Sequence, residues 1–335
     1  MNSKVSIIAE LAQGFEGNFM QARLLVKAAA SAGADAAKFQ LVFADELATP
    51  DYKYYPLFQS LEMNDADWQN LANYAKSENI ELYLDIFGTK SLQLSEKIGI
   101  NCIKLHGTDI SNIGLLHEVA ASSIPNIMLG AGGAHLSEIK TAIDILKNKK
   151  VIVLLGFQGY PTPDETNQVS RIEVMRSFLD DQSGRVTIGF ADHADPLSTL
   201  RYAIAAIAVG AGATVIEKHL TLGKSMKMED HESALNPDEF LEFVTTIRNC
   251  YEAFGVSSLT EDFGMSDPEK NYRRTIRRHV VAAYDLKKGH MIQPTDLVLK
   301  RSSEEDVITD LNSVYGKELN RDIAANNAIL KTDIV

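Results

Sequence analysis

Short apolar runs of four to eight residues alternate with longer amphipathic stretches along the first 255 positions. The runs are "VSIIAE" (5–10), "AAKFQ" (36–40), "ELYLDIF" (81–87), "CIKLH" (102–106), "NIMLGAG" (126–132), "VIVLLGF" (151–157), "VTIGFADH" (186–193) and "TVIEKHL" (214–220). Their near-continuous hydrophobicity predicts strands buried on both faces, as in a parallel sheet. Between them, stretches such as "MQARLLVKAAASAGA", "ADWQNLANYAKSENI", "LSEIKTAIDILKNKK" and "LSTLRYAIAAIAVGAGA" predict helices. "PDEFLEFVTTIRNCYEAFG" predicts a last helix, with Asn236 before Pro237 as its start. Eight strand–helix units in about 250 residues predict a closed (β/α)8 TIM barrel. The alternative is an open doubly wound sheet, whose first turn carries GxGxxG; here it reads "AELAQGFEGN".

After Gly255 the pattern changes. Residues 256–278 are polar without clear periodicity and read as a linker. Residues 279–335 show short strands and turns and predict a small, mostly β domain that packs on something else.

Composition narrows the function. The formal net charge is −12, which argues against nucleic acid or an anionic membrane as partner. No stretch reaches the roughly eighteen apolar residues of a membrane span, and the apolar run in "MNSKVSIIAELAQG" is short for a signal peptide. Cys102 and Cys250 lack CxxC spacing and read as reduced, buried thiols. A cytoplasmic location is the expectation.

Barrel enzymes place their chemistry at the C-terminal strand ends. There the chain carries Glu10, Lys38, Gln40, Asp85, Lys104, His106 and Asp109, then Gln158 and Tyr160, Asp192 and His193, and Glu217, Lys218 and His219. A period of two puts Lys38 with Gln40, Lys104 with His106, and Glu217 with His219 on inward faces, and turns Lys218 towards the helices. His193 and His219 on neighbouring strands suit a divalent metal with open positions, although either alone reads as a structural histidine. Lys38 and Lys104 predict an anion pocket, with Gln40 assisting, and the compatible alternative is internal ion pairs with Glu10 or Asp85; a Schiff-base role is also open. "LGAGGA" (129–134) is a glycine-rich turn that lets backbone N–H groups approach a phosphate, or a plain tight turn.

Taken together, "IIAE" (7–10), "AAKFQ", "GYPTP" (159–163), "GFADH" (189–193), "VIEKHLTL" (215–222) and "EDHESALNPDEF" (229–240) resemble the sialic acid synthases, including their legionaminate, pseudaminate and spore-coat relatives. "AAYDLKKGHMIQPTDLVLKR" and "YGKELNRDIAANNAILKTDI" resemble that family's antifreeze-like (SAF) domain. The resemblance implies condensation of phosphoenolpyruvate with the open-chain aldehyde of an N-acylated hexosamine, giving a nonulosonic acid and phosphate. It implies a divalent ion on His193 and His219, usually manganese, with magnesium, cobalt or zinc as alternatives. It places Glu10, Lys38, Gln40 and Lys104 around phosphoenolpyruvate and a water. Tyr160, Glu217 and Asp230 are placed at the sugar; from their strand-end positions Asp85 and Gln158 are expected in the substrate pocket and Asp109 as the acid. It also implies a domain-swapped homodimer in which Arg301 reaches the partner's site.

The chain departs from that pattern. Gly14 and Phe15 replace Asn-His, and Gly107, Thr108 and Asp109 replace Ser-Gly-Glu. Asp85, Gly130 and Ala191 stand where hydroxyl residues are usual, and "SSEED" follows Arg301 in place of a proline-glycine segment. The losses fall on the phosphate side of the pocket. A metal-dependent aldolase or lyase acting on a related keto-acid, and a catalytically silent sugar-binding homologue, are the alternative readings.

Overall fold

The structure, a computed structural model, describes residues 4–156, 158–179, 183–255, 260–304 and 307–335. Phe157 at the end of the sixth expected strand, 256–259 of the expected linker, and Glu305 and Asp306 of "SSEED" lie outside the described residues. The chain forms two compact units, Met1–Gly255 and Val256–Val335.

The first unit is a closed parallel barrel in strand order. Its strands are β1 (Ser6–Ala12), β2 (Ala36–Gln40), β3 (Glu81–Ile86), β4 (Cys102–Leu105), β5 (Asn126–Gly130), β6 (Lys150–Gly156), β7 (Val186–Asp192) and β8 (Val215–His219). β8 closes on β1, with His219 in register with Glu10. The helices are α1 (Phe19–Ser31), α2 (Ala44–Leu47), α3 (Tyr55–Leu61), α4 (Asp65–Ser77), α5 (Thr89–Lys97), α6 (Ile113–Ala121), α7 (Leu136–Ile145), α8 (Arg171–Leu179), α9 (Ala203–Gly210) and α10 (Pro237–Phe254). α10 begins as expected, with Pro237 in its first turn and Glu239 accepting from the Asn236 N–H at 2.8 Å. α9 is shorter than its apolar pattern suggested.

Side-chain alternation divides the barrel into two cores. Ile8, Ala36, Cys102, Met128, Leu154 and Val215 fill the interior floor. The residues between them, such as Ile7, Ala37, Phe39, Leu84, Ile103, Val153 and Phe190, pack outward against the helices. Phe15, one of the departures at the first turn, is fully buried edge-to-face against Phe39 and Trp68, with ring centroids 5.7 and 5.5 Å away. Cys102 is buried as expected, whereas Cys250 on α10 is half-buried; both are free thiols.

In the second unit, β9 (His279–Ala282) pairs antiparallel with β10 (Leu297–Lys300). Single bridges tie the surrounding turns around Val280, Leu286, Ile292, Val314, Leu319, Ile323 and Ile329. The stretch expected as a linker carries a helix, α11 (Asp267–Ile276), capped by Ser266 with Pro268 in its first turn and Glu269 reciprocating. Its capping signature is legible; its lack of an apolar stripe hid it. Among the described residues no helix is long and apolar enough to cross a membrane.

Candidate active site at the barrel mouth

Above the apolar floor, the next inward positions of β1, β2, β3, β4 and β8 are Glu10, Lys38, Asp85, Lys104 and Glu217, all buried. Lys38 is fully enclosed and donates to Glu10, with a Glu217 oxygen 3.5 Å away and an Asp85 oxygen 3.9 Å away. Lys104 donates to Glu217 at 2.7 Å and lies 3.9 Å from both Glu10 and Asp85. Two cations and three carboxylates thus share one desolvated layer, where isolated charges would cost several kcal/mol each.

The layer splits its carboxyl groups. Burial lifts Glu10 to about 7, with repulsion from Glu217 adding to the rise and Lys38 and Lys104 opposing it. Burial also works against ionisation of Glu217, but Lys104 and Lys38 hold it well below the usual carboxylate range. Burial alone would depress Lys38; the carboxylates of Glu10, Glu217 and Asp85 more than offset it and hold the ammonium above its ordinary value. Both Asp85 oxygens are buried and accept no hydrogen bond among the described residues.

One layer higher, the rings of His193 and His219 lie 5.2 Å apart, and Tyr160 packs edge-on at 5.8 and 5.5 Å. Burial pushes His193 down to about 4, with Lys104 adding to the shift, and pushes His219 well below its ordinary value, with His193 adding. Both are neutral imidazoles at pH 7, the form that binds metal. His193 Nδ1 donates to the Ala191 carbonyl at 3.0 Å, which leaves Nε2 as the lone-pair nitrogen. Among the described residues no group of three or more His, Cys, Asp or Glu side chains is placed to hold a metal ion. A cation on this pair would therefore draw its remaining ligands from water or substrate.

Lys218 points outward as expected and is fully buried. It donates to Asp192 Oδ1 at 3.1 Å and to the Ala194 carbonyl at 3.0 Å, while the Ala194 N–H donates to Asp192 Oδ1 at 2.8 Å. This clamp brackets His193 in the chain and fixes the turn that presents it.

The sugar-side residues expected from the sequence also converge. The Tyr160 hydroxyl donates to the Asp230 carbonyl at 2.5 Å, and burial keeps the phenol protonated. Gln13, not anticipated, joins them: its Nε2 donates to Gln40 at 2.7 Å and its N–H to Asp230 Oδ2 at 3.3 Å. A polar side chain just past a barrel strand was the available signal. Gln158 has a buried Nε2 with no hydrogen bond among the described residues. Burial raises Asp230 to about 6, so its protonated form is favoured in the fold and it opposes folding as pH climbs through 6. Asp230→Asn is therefore expected to match the wild type in thermal stability below pH 4 and to exceed it above pH 6. Parallel melting-temperature profiles would remove the assignment.

Beside this group lies a cavity of about 420 Å³ lined by the side chains of Lys104, His106, Thr108 and His193. The rest of its wall includes Gly107, Gly130, Gly132, Gly133, Gly156 and Ala191. Three of these glycines are required by close backbone approach. A Cβ on Gly130 would stand 2.7 Å from the Gly107 nitrogen, one on Gly107 2.8 Å from the Gly132 oxygen, and one on Gly156 2.5 Å from the Ala191 oxygen.

Three of the expected site residues lie off the cavity wall. Lys38 does not line the cavity; its ammonium is paired inside the carboxylate layer, as the internal ion-pair reading expects. Asp109 also lies off the cavity, in a 3-10 turn (Gly107–Asp109), where Thr108 Oγ1 donates to it at 3.1 Å. Asp85 sits in the buried layer and not on the cavity wall. Arg301 is exposed in the second unit.

Comparison with known proteins agrees with this architecture. The chain is 28% identical to an N,N'-diacetyllegionaminic acid synthase from Legionella pneumophila, over 97% of this chain and 93% of that one. It is 30% identical to another from Campylobacter jejuni, over 89% and 90%. The crystal structure of an N-acetylneuraminic acid (sialic acid) synthetase from Leptospira borgpetersenii superposes with a TM-score of 0.73 at 28% identity, over 82% of this chain and 93% of that one. Residues 277–335 match the SAF domain. Residues 25–258 match the NeuB family, and the chain belongs to it.

Proposed function

We propose that this protein condenses phosphoenolpyruvate with the open-chain aldehyde of an N-acylated hexosamine, forming a nonulosonic acid and inorganic phosphate. The observation that carries the reading is the meeting, at one barrel mouth, of two neutral imidazoles, a carboxyl group poised near neutrality and a lysine-bearing cavity. C3 of phosphoenolpyruvate attacks the aldehyde carbon, water adds at C2, and C–O cleavage of the resulting tetrahedral carbon releases phosphate. Lys104 holds the anionic donor from the cavity wall, and the glycine turns supply backbone in place of the usual hydroxyls. Glu10, lifted to about 7, takes a proton from the attacking water. Tyr160, Gln40, Gln158, Glu217 and Asp230 orient the sugar, and Asp109 is the proposed acid. A divalent cation such as manganese, held by His193 and His219, supplies Lewis acidity to the aldehyde oxygen when bound. Arg301 completes the site of the other subunit in a swapped homodimer.

Phosphate release from phosphoenolpyruvate with Mn²⁺ tests this, across N-acetylmannosamine-type and diacetamido-hexose acceptors. Sugar-dependent release that stops on chelation is the expected result. No release with any acceptor, together with no phosphoenolpyruvate binding in calorimetry, overturns it and brings the keto-acid aldolase or lyase forward. The glycine wall adds a counterintuitive expectation. Gly130→Ser restores a hydroxyl by type, yet its Cβ collides with the Gly107 backbone, so the KM for phosphoenolpyruvate should rise about tenfold or more. An unchanged or lower KM would show that the turn yields.

A further inference from the structure

The second unit carries a cleft of about 740 Å³ that the synthase reading does not use. Lys270, Arg273, Arg274 and Arg277 face it from α11 and the residue that ends it, at the i, i+3, i+4, i+7 spacing that makes one helical face. Lys331 adds a fifth cation, and Glu304 is the one carboxylate among the described residues lining it. This concentration of positive charge stands in a chain whose formal net charge is −12. Lys270 is paired with Asp262 at 2.9 Å and Arg274 with the Asn271 side chain at 2.9 Å; among the described residues Arg273, Arg277 and Lys331 form no ion pair. The same cleft is lined by His279, only 2% exposed, whose Nδ1 is buried and makes no hydrogen bond among the described residues. Guanidinium groups without a described counter-charge, gathered on one wall of a cleft, point to an anionic ligand.

We infer that this cleft binds a small phosphorylated molecule carrying two or more negative charges. Guanidinium forks match phosphate oxygens bidentately, and the His279 ring lies in the wall of the same cleft, where it reports occupancy. The volume exceeds what a lone phosphate fills and suits a sugar-phosphate or nucleotide-sized body. The residues lining the cleft all belong to the second unit, whereas those of the barrel mouth belong to the first.

Calorimetric titration of the full-length protein with inorganic pyrophosphate at low salt is the test. Saturable binding is expected, weakened about tenfold or more by Arg273→Gln with Arg277→Gln, weakened as salt rises, and retained in Lys104→Met. Because Arg277 is half-buried, the exposed Lys331→Gln serves as a second variant, expected to weaken binding severalfold at unchanged melting temperature. In histidine NMR, the His279 ring resonances, assigned with His279→Gln, should shift on titration. Absence of saturable binding overturns the inference. So does binding lost in Lys104→Met but untouched by the arginine changes, or a His279 signal that stays still. Pyrophosphate binding requires no turnover, so failure of the synthase reading leaves this outcome separately readable.

Discussion

Lys38→Met should cost about 3–5 kcal/mol of unfolding free energy and leave no measurable turnover. The side chains are similar in length, so the change removes charge far more than volume. It leaves Glu10, Asp85 and Glu217 in a desolvated layer with Lys104 as their only described counter-charge. Urea unfolding would register the loss as a lower midpoint at unchanged slope. Replacing Glu10 by Gln in the same chain should recover much of the stability, because it removes the carboxylate nearest the lost ammonium, but none of the activity. A single variant as stable as the wild type would mean that the layer is not the charge-balanced unit described above.

The second large effect concerns the imidazole pair. His219→Ala is expected to lower turnover by about 10³-fold or more while the barrel stays folded, since the ring sits at the mouth above the apolar floor. His193→Ala should do the same, and the double variant should be little worse than either single one, as happens when two groups act as a unit. Manganese affinity, followed by calorimetry, should fall in each single variant. Retained activity in His219→Ala would break the proposed pairing, and retained activity with lost manganese binding would separate catalysis from the metal.

Much of the barrel was legible because each strand is short, apolar and followed by polar groups. Inward and outward positions of Glu217, Lys218 and His219 followed from alternation alone, and Lys218 turned outward as expected. What alternation does not carry is register between strands. The sequence leaves Lys38 open to both an anion pocket and an ion pair, because it does not say that β1, β3 and β8 bring three carboxylates to one height. The glycine wall was similarly opaque: Gly107 and Gly130 are far apart in sequence, and only the paired β4 and β5 turns reveal that Gly107 excludes a side chain on Gly130 and Gly132 one on Gly107. Asp109 shows a further limit, since a residue just after a strand end turns with its local loop and not with the strand's pleat.

The pairing of β8 with β1 also dictates an order of events during synthesis. β1 leaves the ribosome with one edge that finds no partner until β8 follows, roughly 200 residues later, a delay of about 10–40 s at ordinary elongation rates. Through that interval the nascent sheet has open edges, and Lys38 and Lys104 lack Glu217, their shared acceptor. The last strand delivers that acceptor together with His219, so topological closure, the pairing of both lysines with Glu217 and assembly of the imidazole pair occur in one step. A chain truncated before Val215 would lose all three at once and would present sticky, open sheet edges to its neighbours.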